Sequence, residues 1–453
     1  MTCHRRSLDG RRDLLAPAAS HPGRYPCLLQ SVVHGTAQSR HDILFAFPGE
    51  RPGDRLQLHA DGRVRDGEGH EREGRFLDQL DAAWRHESSP ENDDGLPFHG
   101  GWILLFAYEL AGEIEPRLKL RPPTDIPLAL AIRCPAAVIV DHAQERTMLV
   151  AEAGHEHLLD QLQADLDAVS VIPPLPAPTS HEEDPPQLFL DGVARVHEHL
   201  HAGDTFQVNL SRAWRVNYAQ MPTAASLYAA LRNANPAPFA GLLQQPEWAV
   251  ISSSPERLVE VRGGIAQTRP IAGTRPRLPG DDESARIREL GGNPKERAEH
   301  VMLIDLERND LGRVCEPGTV QVDELMTVES YTHVHHIVSN VRGRLCNGVT
   351  PGEVIAATFP GGTITGCPKV RCMEIIAALE DGPRGAYTGA MGYLDRSGEL
   401  DLNILIRTLT QVGGQVSLRA GAGIVVDSVA AHELDETRAK ARGLLRALGV
   451  TES

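Results

Sequence analysis

Two short stretches of the chain carry paired carboxylates at helical spacing. In KERAEHVM, Glu296 and Glu299 stand three residues apart; in HELDETRAK, Glu433 and Glu436 repeat the spacing, with Lys440 one turn further on. Residues three or four apart share one helix face, where like charges repel. A bound cation would relieve that repulsion. Oxygen-only donors favour a hard ion such as Mg2+, which keeps several waters and bridges to substrate oxygens. Taken alone, each doublet is more simply a solvated helix face, and spacing does not show that the two helices meet.

Arg407 stands within the apolar stretch NILIRTLT. A guanidinium there is costly to bury unpaired, so it should meet an anion, either a structural carboxylate or a substrate carboxylate. Two glycine-rich stretches invite a phosphate reading that their details refuse. FPGGTITGCPKVR has Cys367-Pro368-Lys369 in place of the Gly-Lys-Ser/Thr ending that supplies the lysine and hydroxyl of a phosphate loop, and AGAGIV lacks the third glycine of a dinucleotide fingerprint. Both read as places where backbone amides approach a non-nucleotide ligand, or as plain tight turns. In YTHVHHIVS, His333 and His335 share one face of a strand and His336 takes the other, so they do not converge. The loop RPIAGTRPR, with Ala272 and Gly273 at its centre, has three guanidinium groups and a hydroxyl but no nucleophile.

The elements that must position these groups mix helix and strand. Strand patterns occur at DILFAF, AAVIVD, TFQVNLSRAWRV, WAVISSS, GAMGYL, LNILIRTLTQV and QVSLRAGAGIVV. Helical spacing occurs at LLDQLQADLDAV, QLFLDGVARVHEHLHAGD, NPKERAEHVMLIDLERNDL, RCMEIIAAL and AAHELDETRAKARGLLRAL. Long antiparallel-looking strands with intervening helices imply an α+β architecture. The proline-dense 171–187 segment reads as an extended connector between an N-terminal lobe (21–170) and a catalytic domain (188–448), with residues 1–20 as a frayed tail.

The 453 residues carry a formal net charge of −16 and no basic tract, which argues against a nucleic-acid partner. No apolar run is long enough to span a bilayer. Seven cysteines without a CxxC pair fit reduced thiols in a cytoplasm.

In order along the chain, SSSPERL, RPIAGTRPR, KERAEHVMLIDLERNDLGRV, HVHHIVSNVRG, FPGGTITGCPKVRCMEII, RGAYTGAMGY, IRT, AGAGIVVDS and ELDETRAKA resemble the chorismate-utilising enzymes. These are the large subunits of anthranilate and aminodeoxychorismate synthases, together with isochorismate and salicylate synthases. The resemblance implies a two-lobed α+β fold of packed antiparallel sheets. It implies that Glu299 and Glu436 ligate Mg2+ directly, and Glu296 and Glu433 through water. Arg407 and Tyr387, with backbone amides around Gly421 and Gly423, would hold the enolpyruvyl carboxylate. Thr363 would line the ring, His336 would sit beside the departing carbon-4 hydroxyl, and Gly273 and Thr274 would contact the ring carboxylate. Glu256 and Lys440 are the implied proton-handling positions.

Within that family Ala272 resembles anthranilate synthase, whose loop reads PIAGT, whereas the better-known aminodeoxychorismate synthases have a nucleophilic lysine there. SRHDILFAFP, FQVNLS with Asn209, NPAPFAGLL, CLLQS with Gln30 and LPFHGGWILLFAYELAGEIE resemble aminodeoxychorismate synthase instead. The expectation is therefore an aminodeoxychorismate synthase component without the lysyl adduct, fed with ammonia by a separate glutamine amidotransferase subunit. Anthranilate synthase is the alternative. Whether tryptophan binds near CLLQS stays open.

Overall fold

Strand sequences from both halves of the chain interleave in two large antiparallel sheets, each of twelve strands among the described residues. The computed structural model describes residues 3–33, 40–90, 94–168, 171–276, 294–330 and 334–450. In the first sheet, Cys27–Gln30 lies between His41–Ala46 and Phe239–Gln244, and the path continues through Trp248–Ser254, Thr408–Val412, Gln415–Ile424 and Gln207–Asn217. In the second, Ala390–Asp395 pairs with Gly101–Phe106 on one side and Leu400–Ile404 on the other. The proline-rich segment is thus a boundary in sequence and not in space.

The sheets face each other through an apolar layer that includes Phe45, Phe98 and Tyr393, with the Phe45 and Phe98 rings edge-on at 4.8 Å. Helices cover both outer faces. Phe76–Glu87 and Pro351–Thr358 close one core, and Ala224–Ala234 with Ala430–Ala447 close the other. This layering explains why AAVIVD is an unbroken apolar run: all of Ala136–Asp141 is buried, because neither face of its sheet meets water.

Three expectations need correction. Residues 1–20 are not a frayed tail where described: Cys3–Asp9 pairs with Arg146–Glu152, and Leu14, Leu15 and Ala18 are buried. The arginines of this segment sit on an edge strand, where charge is tolerated, and they have partners, Arg5 in Asp94 and Arg6 in Asp160. The connector is not wholly irregular either, since Ser180–Glu183 adds an edge strand to Gln207–Asn217 and a helix starts at Pro186, both tolerable positions for proline-rich chain. Finally, LNILIRTLTQV is not one strand. Leu400–Ile404 belongs to the second sheet and Thr408–Val412 to the first, and Arg407 lies in the crossover with φ of 53°. His333 lies outside the described residues.

Candidate active site

Both carboxylate doublets lead to one short piece of strand. Gln415–Ile424 pairs with Gln207–Asn217 so that Asn209 faces Gly423 and Ser211 faces Gly421. From the Pro294–Gly312 helix, Glu299 Oε1 accepts a hydrogen bond from Gln207 Nε2 at 2.9 Å, and that amide lies 2.3 Å from where a Cβ on Gly423 would stand. From the Ala430–Ala447 helix, Glu436 pairs with Lys440 Nζ at 2.6 Å, and the same ammonium donates to Gly421 O at 2.9 Å. Two helices that the sequence could not connect therefore converge on residues 421–423. Close approach requires glycine at Gly421, where a Cβ would stand 2.8 Å from Leu210 O and 2.9 Å from the Tyr387 hydroxyl.

Arg407 joins this cluster. Its Nη1 donates to Lys440 O at 3.0 Å, and among the described residues no carboxylate pairs with it. Burial pulls its pKa below the ordinary arginine value, against the pull of Tyr387 and Glu436. A guanidinium so placed is an anion receptor. Tyr387 is buried beside it and is fixed from behind by Arg384, whose guanidinium lies 5.7 Å from the Tyr387 ring centre and 4.8 Å from that of Tyr108. Arg384 is held in turn by Glu380 at 2.7 Å and by the carbonyls of Asn209 and Ile364.

The loop RPIAGTRPR forms the strand Ile271–Pro276 at the edge of the second sheet. Ala272 pairs with Ile337 and Thr274 with His336, so Gly273 is an extra residue between consecutive partners. Its φ of 66° lies in the left-handed region, and a glycine there makes a bulge that re-aims the strand. Against this strand lies Glu256, 6% exposed. Burial pushes its carboxyl up to about 7, while the Thr363 hydroxyl, the Ile271 backbone N–H and Lys440 pull it back. Such a group holds a proton near neutrality and can donate it. Thr363 sits in the short turn Gly362–Ile364, and His336 is buried on the neighbouring strand.

The family profile of chorismate binding enzymes matches residues 41–446. The chain belongs to that family. Among similar proteins, the anthranilate synthase component I-like protein of Synechocystis is 44% identical over 383 residues, covering 82% of this chain and 78% of that one. Aminodeoxychorismate synthase component 1 of Bacillus subtilis is 40% identical over 389 residues, 82% of each chain. The crystal structure of anthranilate synthase component I from Streptococcus pneumoniae superposes with a TM-score of 0.79 at 30% identity, covering 91% of this chain and 93% of that one.

Not every expected residue of this chorismate-binding enzyme is gathered at one point. Among the described residues, Glu296, Glu299, Glu433 and Glu436 do not bring donor atoms within 4.8 Å of one another as a closed cage. An ion that retains its waters needs no such cage. Cys3, Asp94 and His99 do approach within 4.8 Å, but Arg5 neutralises Asp94, and His99 lies between Asp94 and Asp395, so charge balances there without an ion. The CLLQS segment lines a cavity of about 280 Å³ between the sheets, with Arg40, Phe239, Met391 and Tyr393 on its walls.

Sequence reasoning missed Gln207 and Arg384. Gln207 offered a faint signal, since it precedes the Asn209 already singled out. Gly423→Ala tests its role. The added methyl meets only the movable end of Gln207, so the fold should survive. The Gln207–Glu299 hydrogen bond should break; if Glu299 holds Mg2+, as its oxygen donors allow, the Mg2+ concentration for half-maximal activity should rise by roughly tenfold, as for loss of an outer-shell partner of a metal ligand. A Mg2+ titration of chorismate turnover checks this.

Proposed function

We propose that this chorismate-binding enzyme is an aminodeoxychorismate synthase component, forming 4-amino-4-deoxychorismate from chorismate and ammonia supplied by a partner glutamine amidotransferase. What supports the reading is the set of stretches that resemble aminodeoxychorismate synthase, SRHDILFAFP, FQVNLS, NPAPFAGLL, CLLQS and LPFHGGWILLFAYELAGEIE; the buried acid Glu256 and the Arg407 guanidinium serve the chorismate chemistry common to both readings. The enolpyruvyl carboxylate meets Arg407 and the Tyr387 hydroxyl, with backbone amides near Gly421 and Gly423. The ring lies along Thr363, with Gly273 and Thr274 toward its carboxylate and His336 beside the carbon-4 hydroxyl. The all-oxygen donors of Glu299 and Glu436, backed by Glu296 and Glu433, fit Mg2+, which when bound supplies positive charge to the ring carboxylate.

Ammonia adds at ring carbon 2, the double bonds shift, and the carbon-4 hydroxyl takes a proton from Glu256 and leaves as water. The added nitrogen gives up its extra proton, with Lys440 as the nearby proton-handling group. A second ammonia then adds at carbon 4 and displaces the first amine, so 2-amino-2-deoxyisochorismate is a free and not a covalent intermediate. Local cations, and not the net charge, accommodate the dianionic substrate. The cavity at CLLQS is of a size for one amino acid such as tryptophan, held as a structural ligand or an inhibitor. No described helix is long and apolar enough to cross a membrane, and a cytoplasmic setting suits the free cysteines.

Product identification tests the reading. Purified protein with chorismate, Mg2+ and an ammonium salt should yield p-aminobenzoate only after an aminodeoxychorismate lyase is added, and no fluorescent anthranilate. Ala272 favours the second reading, anthranilate synthase. Direct anthranilate formation at a comparable rate would establish that reading instead.

A further inference from the structure

Beside Gly421 one polar side chain has no task in the chemistry above. Asn209, on the strand Gln207–Asn217, has its backbone tied on both sides: its N–H donates to Thr365 O at 3.0 Å, and its carbonyl accepts from Arg384 Nη2 at 2.7 Å. Its side chain is not tied. Among the described residues the amide makes no hydrogen bond, and its Oδ1 is shielded from solvent. Burying a polar group in that state costs stability, so the fold alone gives no reason for an amide there. Oδ1 lies 2.7 Å from where a Cβ on Gly421 would stand, and the Tyr387 hydroxyl lies 2.9 Å from the same point. Lys440 Nζ reaches the Gly421 carbonyl at 2.9 Å. The amide therefore borders the place where, in the proposed chemistry, the enolpyruvyl carboxylate meets Tyr387 and Arg407. With no bond to hold it, the amide can turn its N–H groups toward that carboxylate.

We propose that Asn209 is a specificity-determining residue: its side-chain N–H takes the enolpyruvyl carboxylate alongside Arg407 and Tyr387, and so holds back the loss of pyruvate from 2-amino-2-deoxyisochorismate. This rests on the amination reading and on its placing of that carboxylate. Loss of pyruvate breaks the bond between ring carbon 3 and the ether oxygen, moves the hydrogen of carbon 2 to the enolpyruvyl methylene, and leaves the aromatic ring of anthranilate. For that transfer the enolpyruvyl group must turn about its ether bond until the methylene faces carbon 2.

The three donors come from three separate pieces of the fold. Arg407 lies in the crossover between the sheets, Tyr387 in the turn before Ala390–Asp395, and Asn209 on a strand opposite Gly423. A carboxylate held from one side can turn with its ether bond. Held from three elements it cannot, and the methylene stays out of line with carbon 2. The strand end of this grip is stiff, because Asn209 is fixed through Thr365 and Arg384, and Arg384 through Glu380 at 2.7 Å. Amination at carbons 2 and 4 needs no movement of the enolpyruvyl group, so the same restraint leaves it unhindered.

Asn209→Val tests the assignment. Valine suits a strand and removes a polar group that has no partner, so the melting temperature should hold or rise. Binding is measured by equilibrium dialysis with Mg2+ and without ammonium, so that no amination occurs. Chorismate should bind roughly 10- to 150-fold more weakly than to wild type, as for loss of one hydrogen bond to a charged group. The diol left when the enolpyruvyl group is removed from chorismate should bind to both proteins alike. With an ammonium salt and no lyase, the variant should release anthranilate and pyruvate in equal amounts, at about a tenth or more of its turnover, where wild type releases neither. Unchanged chorismate binding, or equal weakening of chorismate and the diol, overturns the proposal whichever product the wild type makes. So does a variant that, like a wild type releasing neither compound, still releases neither. Anthranilate from the wild type itself marks the failure of the amination reading instead; the restraint on pyruvate loss then falls with it, and the binding contrast still decides whether Asn209 holds the enolpyruvyl group.

Discussion

Arg407→Met is expected to cut kcat/KM for chorismate by roughly 30- to 5,000-fold, the 2–5 kcal/mol range for removing one member of a desolvated charged pair. The loss should fall mainly on KM, because the enolpyruvyl carboxylate is bound in ground and transition states alike. The same substitution should not destabilise the free protein. Arg407 is partly buried, has no carboxylate at ion-pair distance among the described residues, and donates to the Lys440 carbonyl. Removing an uncompensated charge from such a place is neutral or stabilising. Arg407→Gly should go further, because the φ of 53° costs an L-residue about 1–2 kcal/mol that glycine does not bear. A variant with a higher melting temperature and a much larger KM is the expected signature. A purely structural arginine would show the reverse: a lower melting temperature with KM intact. Strain of this kind recurs close by, at Thr388 with φ of 62° beside Tyr387, as expected where the surrounding fold holds a binding geometry in place.

What could be read from the sequence follows the range of the forces involved. Helical spacing is local, so KERAEHVM and HELDETRAK announced their helices and the face each carboxylate pair shares. The convergence of the two helices depends on the pairing of Gln415–Ile424 with Gln207–Asn217, a contact between residues some 200 positions apart that no local pattern encodes. Arg407 was expected to meet an anion because it stands in an apolar strand, and that premise about its place was incomplete. NILIRTLT alternates as one strand would, and only the passage of the chain from one sheet to the other breaks it at Arg407. The frayed tail was misread because charge on an edge strand and charge in solvent look alike until Asp94 and Asp160 are seen across from it. The bulge at Gly273 is the opposite case: a glycine between Ala272 and Thr274 announced a special backbone, and the left-handed φ is there.

Glu256→Gln is expected to lower kcat by roughly 100- to 10,000-fold, the span for loss of a general acid, while chorismate still binds. The residual rate should lose its alkaline limb, since the group that titrates is gone. Stability gives a second and independent readout, and its sign follows from the direction of the shift. The Glu256 carboxyl rises from an ordinary 4.5 to about 7 on folding, so between those values the folded state binds more protons than the unfolded one. Stability therefore falls as pH rises through that window, by about 3 kcal/mol in all if the group titrates alone. The glutamine variant does not titrate and escapes the loss. Wild type and variant should unfold alike near pH 4, and the variant should be the more stable of the two at pH 8, by denaturant unfolding at both values. Equal stability at pH 8 would mean that Glu256 is not held protonated by burial, and the acid role would have to move to another residue. A more stable but nearly inactive variant would show that the fold tolerates Glu256 for its chemistry alone, since burying an ionisable carboxyl against Thr363 and Ile271 brings the free protein no gain.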